Sequence, residues 1–170
     1  MDRELSGGGA MIDHTVHVAD LLRDLLGRDP ETVYAQTNAR LYGRDTEDCA
    51  MLSLEYADGP FVTHDSSWSR PPAFPTWGDV TMSIVGENGI VELDMFGPSL
   101  IRTTDRGSRL GIGPDADARM IEAFLESVLD GAPVVTTLED GLAASAIALA
   151  AYRSVASNRP EPVRAEGALR

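Results

Sequence analysis

The chain has 170 residues, 43% of them hydrophobic and 24% charged, with 27 acidic side chains against 14 basic ones and a net charge of −13. Those proportions describe a globular protein long enough to bury roughly two-thirds of its unfolded surface in one core. The acidity excludes nucleic acid as a partner, because phosphate binding needs clustered cations, and no apolar run nears the ~20 residues that span a bilayer.

The single cysteine, Cys49, rules out an intrachain disulfide and a thiolate metal cluster, and it suits a reducing cytoplasm. It is expected to pack as a small apolar residue in a strand. The opening MDRELSGGG has no apolar core of the kind a secretory signal carries.

Along the chain, residues 6–9 form a breaker segment from which a helix can start. Met11, Ile12, Val16, Leu21, Leu22, Leu25 and Leu26 then recur at helical spacing over 10–26, with Gly27 placed to stop the helix and Pro30 soon after. Residues 32–42 and 48–56 alternate apolar and polar side chains as strands do. The turn at 57–60, with Asp58-Gly59, leads into a further strand over 61–68. Residues 69–77 hold three prolines and read as an irregular loop. Strands at 79–85 and 90–94 flank Gly86-Glu87-Asn88-Gly89, and a short strand follows at 99–104. A helix over 115–129 carries Met120, Ile121, Phe124, Leu125, Val128 and Leu129 on one stripe. A second, alanine-rich helix starts at the capped segment 137–140 and runs to 156, with a short strand in the tail.

One helix, then a run of strands, then two helices indicates an α+β fold: an open, mostly antiparallel β-sheet with helices on one face. Short turns between strands exclude a doubly wound parallel sheet, whose strands need long crossovers.

The chemistry concentrates on the first long helix. Asp13, His17 and Asp20 stand at i, i+4 and i+7 and share one helical face. The glycine run Gly7-Gly8-Gly9 before them lets another chain segment or a ligand come close. Imidazole titrates near neutral pH, so a histidine beside a carboxylate suits proton transfer. The same residues also read as a helix-dipole acid and a satisfied histidine. His14 points about 100° away from Asp13 on the helix. His14, His17 and His64-Asp65 could together be imagined around zinc, but they lack the paired spacing of a zinc site.

Four segments in order, GGGAMIDHTVHVADLLRDLLG, DCAMLSLEYADG followed by SSW, MSIVGENGIVELD and FLESVLDGAPVVTTLEDGLAASAIALAAYRSVASNRPEPV, resemble the C-terminal domain of the Gfo/Idh/MocA oxidoreductases, the glucose-fructose oxidoreductase and inositol dehydrogenase family. The resemblance implies a single substrate-binding and dimerisation domain over 1–170. It implies Asp13 and His17 as the catalytic pair, His17 exchanging the proton of a substrate hydroxyl and Asp13 binding substrate and supporting the imidazolium. Asp20 is expected to be a structural acid tying the helix to a neighbouring loop. His14, Trp68, Arg70 and Trp77 are the candidate substrate-binding residues, with a core-filler role for the aromatics as the alternative.

Family enzymes bind NAD or NADP on a Rossmann domain with a G-x-G-x-x-G turn after its first strand. No such motif stands here, and all 14 basic residues are arginine, so the family's catalytic lysine has no counterpart. Cofactor and metal ligands are therefore expected to be absent from this chain, and a Rossmann domain, in cis or in trans, is the expected partner. A sugar, inositol or related polyol is the expected substrate, and a homo-oligomer formed through the β-sheet the expected assembly. A stand-alone binding or assembly module that kept the fold is the other expectation, and a metal-dependent hydrolase or isomerase a third.

Overall fold

The computed structural model describes residues 3–164 except 58, 77, 98, 99, 106, 112 and 114. The elements in chain order are α1 (Arg3–Ser6), α2 (Ala10–Leu26), β1 (Thr32–Asn38), β2 (Cys49–Glu55), β3 (Phe61–Asp65), β4 (Thr81–Gly86), β5 (Gly89–Asp94), β6 (Leu100–Thr104), β7 (Gly107–Gly111), α3 (Ala116–Leu129), α4 (Leu138–Ser157) and β8 (Glu161–Pro162). They fall into two compact units, Met1–Ser69 with Thr136–Arg170, and Arg70–Val135.

The first unit is built on a four-stranded antiparallel sheet in the order β3-β2-β1-β8. Alternation puts Val33 and Ala35 of β1 and Ala50, Leu52 and Leu54 of β2 on one buried face. Helix α4 packs against β1 and against α2, and α2 also touches β2. The alanines of α4 allow the close approach: Ala148, Ala150 and Ala151 are fully buried. Met11 and Ile147 from the helices and Leu52 and Leu54 from the sheet are among the largest fully buried side chains, each contributing roughly 1.5–3 kcal/mol. Where β8 stops pairing with β1, the Ala35 N–H donates to Ser154 Oγ on α4 at 3.0 Å, and Ser154 Oγ donates to the Arg159 carbonyl at 2.7 Å. A buried backbone donor thus keeps a partner past the end of its ladder.

Helix ends follow the sequence signals. Gly27 closes α2 in the left-handed region at φ 65°, its N–H donating to the Arg23 carbonyl. Thr137 and Asp140 form a reciprocal capping box at the start of α4. Beyond its cap role, Asp140 accepts from Arg23 Nε at 2.8 Å, and Arg23 also pairs with Asp29. Arg23 thereby ties α2 to both neighbouring segments. Asp20 was the expected tie, but its side chain forms no hydrogen bond or ion pair among the described residues; the tie is made instead by Arg23, one turn on.

Two strand boundaries are shorter than the alternation predicts. β1 ends at Asn38, and residues 39–48 form a loop. β3 ends at Asp65, whose Oδ1 accepts the Ser67 N–H at 2.9 Å and turns the chain. Cys49 begins β2, half-buried, and burial pushes its thiol up.

The second unit holds two antiparallel hairpins, β4-β5 and β6-β7, and helix α3. β7 lies outside the predicted strands. α3 is capped by Asp115, whose carboxylate accepts the Ala118 N–H at 3.0 Å. None of the described helices is long and apolar enough to cross a membrane.

Candidate functional site

A cleft of about 280 Å³ opens on the first unit, lined by Ser6, Gly8, Gly9, Ile12, Asp13, Val16, His17 and Trp68. Asp13 and His17 stand one turn apart on the exposed face of α2, and Trp68 comes from the segment after β3. The Trp68 indole N–H donates to Asp13 Oδ2 at 3.1 Å. His14 Nε2 lies 3.4 Å from the same oxygen, and its ring stands edge-on to Trp68, with centroids 6.5 Å apart and planes at 78°. Both contacts fall on Oδ2 of the Asp13 carboxylate. Ile12 and Val16 give the cleft apolar wall, and Asp13 and His17 its convergent polar groups, the composition of a small-molecule site.

The glycine run explains how α2 reaches this position. Glu47, at the end of the loop after β1, accepts the N–H groups of Gly9 (2.8 Å) and Met11 (3.3 Å) on Oε1. The Tyr152 hydroxyl of α4 donates to the same oxygen at 2.6 Å, and the Glu47 carbonyl accepts from the Ala10 N–H at 2.9 Å. A carboxylate at a helix N-terminus is stabilised by the orphan N–H groups and the dipole. A Cβ at Gly8 would stand 1.9 Å from the Tyr152 hydroxyl, and one at Gly9 1.9 Å from the Glu47 carbonyl oxygen. Burial and the bond to Glu47 push the Tyr152 hydroxyl well above the usual phenol range, so it stays a donor.

The same geometry tests whether the glycines could hold a dinucleotide. A pyrophosphate at a helix N-terminus needs the free N–H groups and the space the glycines leave. Here Glu47 already takes the N–H groups of Gly9 and Met11, and the protein fills the space at Gly8 and Gly9. These residues do not fit NAD or NADP.

Trp68 is fixed from below. Its backbone N–H donates to the Asp48 carbonyl at 2.8 Å, and its carbonyl accepts from the Tyr42 hydroxyl at 2.9 Å. Asp48 is fully buried and its Oδ2 accepts the Tyr42 N–H at 2.7 Å. Burial alone would raise the Asp48 carboxyl, but the backbone N–H groups of Tyr42 and Leu41 outweigh it and hold the group below its ordinary value.

Of the remaining predicted residues, Arg70 belongs to the second unit. There its guanidinium pairs with Asp79 and lies 5.3 Å from the Phe74 ring centroid. Trp77 lies outside the described residues. His64 is not a surface ligand: it sits on β3 opposite Leu52, 9% exposed, with no partner for Nε2 among the described residues. No group of three or more His, Cys, Asp and Glu placed to hold a metal ion occurs among the described residues. The sequence reading missed Glu47, Tyr152 and Tyr42. The only trace of Glu47's role is an acidic pair just before a strand, and Gly9 and Glu47 are 38 residues apart.

Comparison with known proteins shows the family and the fold. The family model described as the GFO/IDH/MocA C-terminal domain matches residues 1–92. Inositol 2-dehydrogenase of Rhizobium meliloti (strain 1021) is 33% identical over 167 residues, covering 89% of this chain and 49% of the relative. The 1,5-anhydro-D-fructose reductase of Ensifer adhaerens is 27% identical over 164 residues, 94% of this chain and 49% of the relative. Among solved structures, GenD2 from gentamicin A biosynthesis, in complex with NAD, superposes with a TM-score of 0.77 at 27% identity over 93% of this chain and 49% of its own. The chain thus spans about half the length of the curated relatives it matches.

Proposed function

Because this chain belongs to the GFO/IDH/MocA C-terminal domain family, we propose that its cleft is the substrate side of an NAD(P)-dependent oxidoreductase acting on a sugar, inositol or related polyol. The observation that carries the reading is the convergence of Asp13, His17 and Trp68 on one small cleft, with the Asp13 carboxylate already oriented by the indole N–H. The inositol and anhydrofructose enzymes among the relatives support the substrate class.

In this reading His17 takes the proton of a substrate hydroxyl in one direction and returns it in the other. Asp13 accepts a hydrogen bond from the substrate and favours the imidazolium when it forms. Trp68, with His14 beside the same oxygen, orients the Asp13 carboxylate. The dinucleotide is held by a Rossmann domain, in cis or in trans, and the domain over 1–170 supplies substrate contacts and, through its sheet, assembly into a homo-oligomer.

Two measurements test the reading. Titrating the chain with myo-inositol is expected to shift the His17 ring and Trp68 indole resonances, and His17→Asn or Asp13→Asn is expected to abolish saturation. A panel of neutral sugars and inositols that moves neither resonance overturns the assignment. Mixed with a polyol and NAD or NADP, the 170-residue chain is expected to form no reduced nicotinamide, because its glycine run is already engaged. Turnover by the chain alone would falsify that.

A further inference from the structure

The two walls of the cleft are joined by one dipeptide far from both in sequence. Glu47 holds the start of α2 through Gly9, Ala10 and Met11. Its neighbour Asp48 holds Trp68, through the bond from the Trp68 N–H to the Asp48 carbonyl and through Tyr42, whose N–H is taken by Asp48 and whose hydroxyl donates to the Trp68 carbonyl. Asp48 is itself pinned to β1 by its N–H, which donates to the Asn38 carbonyl at 3.0 Å. Across the cleft, the Trp68 indole closes onto Asp13. The bonds make a closed circuit: Glu47 to α2, α2 to Asp13, Asp13 to Trp68, Trp68 to Asp48.

We propose that Glu47 is a positioning residue for the polyol site, setting the register of Asp13 and His17 on α2 against Trp68. This rests on the reading of the cleft given above. Helices usually start on their own cap, and α2 has none: its Gly9 N-cap offers no side chain. The start of α2 is therefore defined by Glu47, and with it the direction in which Asp13 and His17 face. One carboxylate oxygen collects three donors, from Gly9, Met11 and Tyr152. Glutamine keeps an acceptor oxygen of two lone pairs at that place, and alanine keeps none.

The test compares Glu47→Ala, Glu47→Gln and Tyr152→Phe in the whole chain, well below their melting temperatures. The readouts are the Trp68 indole N–H resonance, the His17 ring resonances and the affinity for myo-inositol. Glu47→Ala is expected to shift the indole and His17 ring resonances and to weaken inositol binding by about tenfold. Glu47→Gln is expected to restore the indole resonance and most of the affinity. A folded Glu47→Ala chain with unchanged indole and His17 resonances overturns the proposal, because a merely structural residue would change melting alone. If Glu47→Ala does not fold, Tyr152→Phe decides. It removes one of the three donors, and an indole resonance unmoved by it overturns the proposal. If the parent chain binds no polyol, the proposed function falls, while the indole and histidine readouts still decide the role of Glu47.

Discussion

His64 and Gly9 show what single positions contribute. Burial holds His64 neutral and pushes its pKa down from 6.5 to about 4. The unfolded chain therefore binds more protons than the folded one between those values, so stability falls as pH drops from about 6.5 to about 4. The loss is about 3 kcal/mol over that window. Asp140, held down to about 2 by Thr137 and Arg23, loses its contribution only at lower pH, below its ordinary 3.8. The histidine window thus stands apart. His64→Leu is expected to flatten the dependence of urea midpoints on pH between about 6.5 and 4, with no loss at pH 7, because it removes a buried nitrogen that has no described partner. Gly9→Ala is expected to destabilise the chain by roughly 2 kcal/mol or more, since a Cβ meets the Glu47 backbone carbonyl rather than a side chain that can swing away. Thermal denaturation of that variant checks it. The sequence announces that something approaches the glycines closely. It does not say what, because Glu47 and Tyr152 are distant in sequence and neither spacing nor periodicity relates them to the glycines.

Legibility among the elements follows the strength of local patterning. α2, α3 and α4 were readable to within a residue or so, because long amphipathic or alanine-rich runs end on explicit signals such as Gly27 and the Thr137–Asp140 box. The hairpins β2-β3 and β4-β5 were readable from their turns. β7 was not: Gly-Ser-Arg-Leu-Gly offers neither alternation nor β-branched residues, and its pairing with β6 alone defines it. Strand ends were overrun at 39–42 and 66–68, where hydrogen bonds to Asp48 and Asp65 redirect the backbone. The α4 cap makes a prediction of its own. Thr137→Ala removes one half of the capping box and is expected to cost about 1 kcal/mol. A second loss is expected on top in Asp140→Ala, which also frees Arg23 from α4. Comparing the two variants by chemical denaturation separates the cap from the tie.

For the molecule as a whole, the sequence conveyed the α+β class and the placing of the candidate residues Asp13 and His17 on one helix, α2. It did not convey that the helix face is completed by residues from the loop before β2, the segment after β3 and α4, since such long-range contacts leave no periodic trace. The first unit is assembled from both ends of the chain, with Arg70–Val135 between them. β1 takes β2 on one side and β8 on the other, and α2 packs on α4. The consequence is kinetic. During synthesis α2 and the β1-β2-β3 meander emerge before α4 and β8, which pack against α2 and β1. Closing a loop of this length carries an entropic penalty and slows folding. Until residues 138–162 have followed, the surfaces of α2 and β1 that pack on α4 have no partner, so the first unit completes its fold only when its final segment arrives.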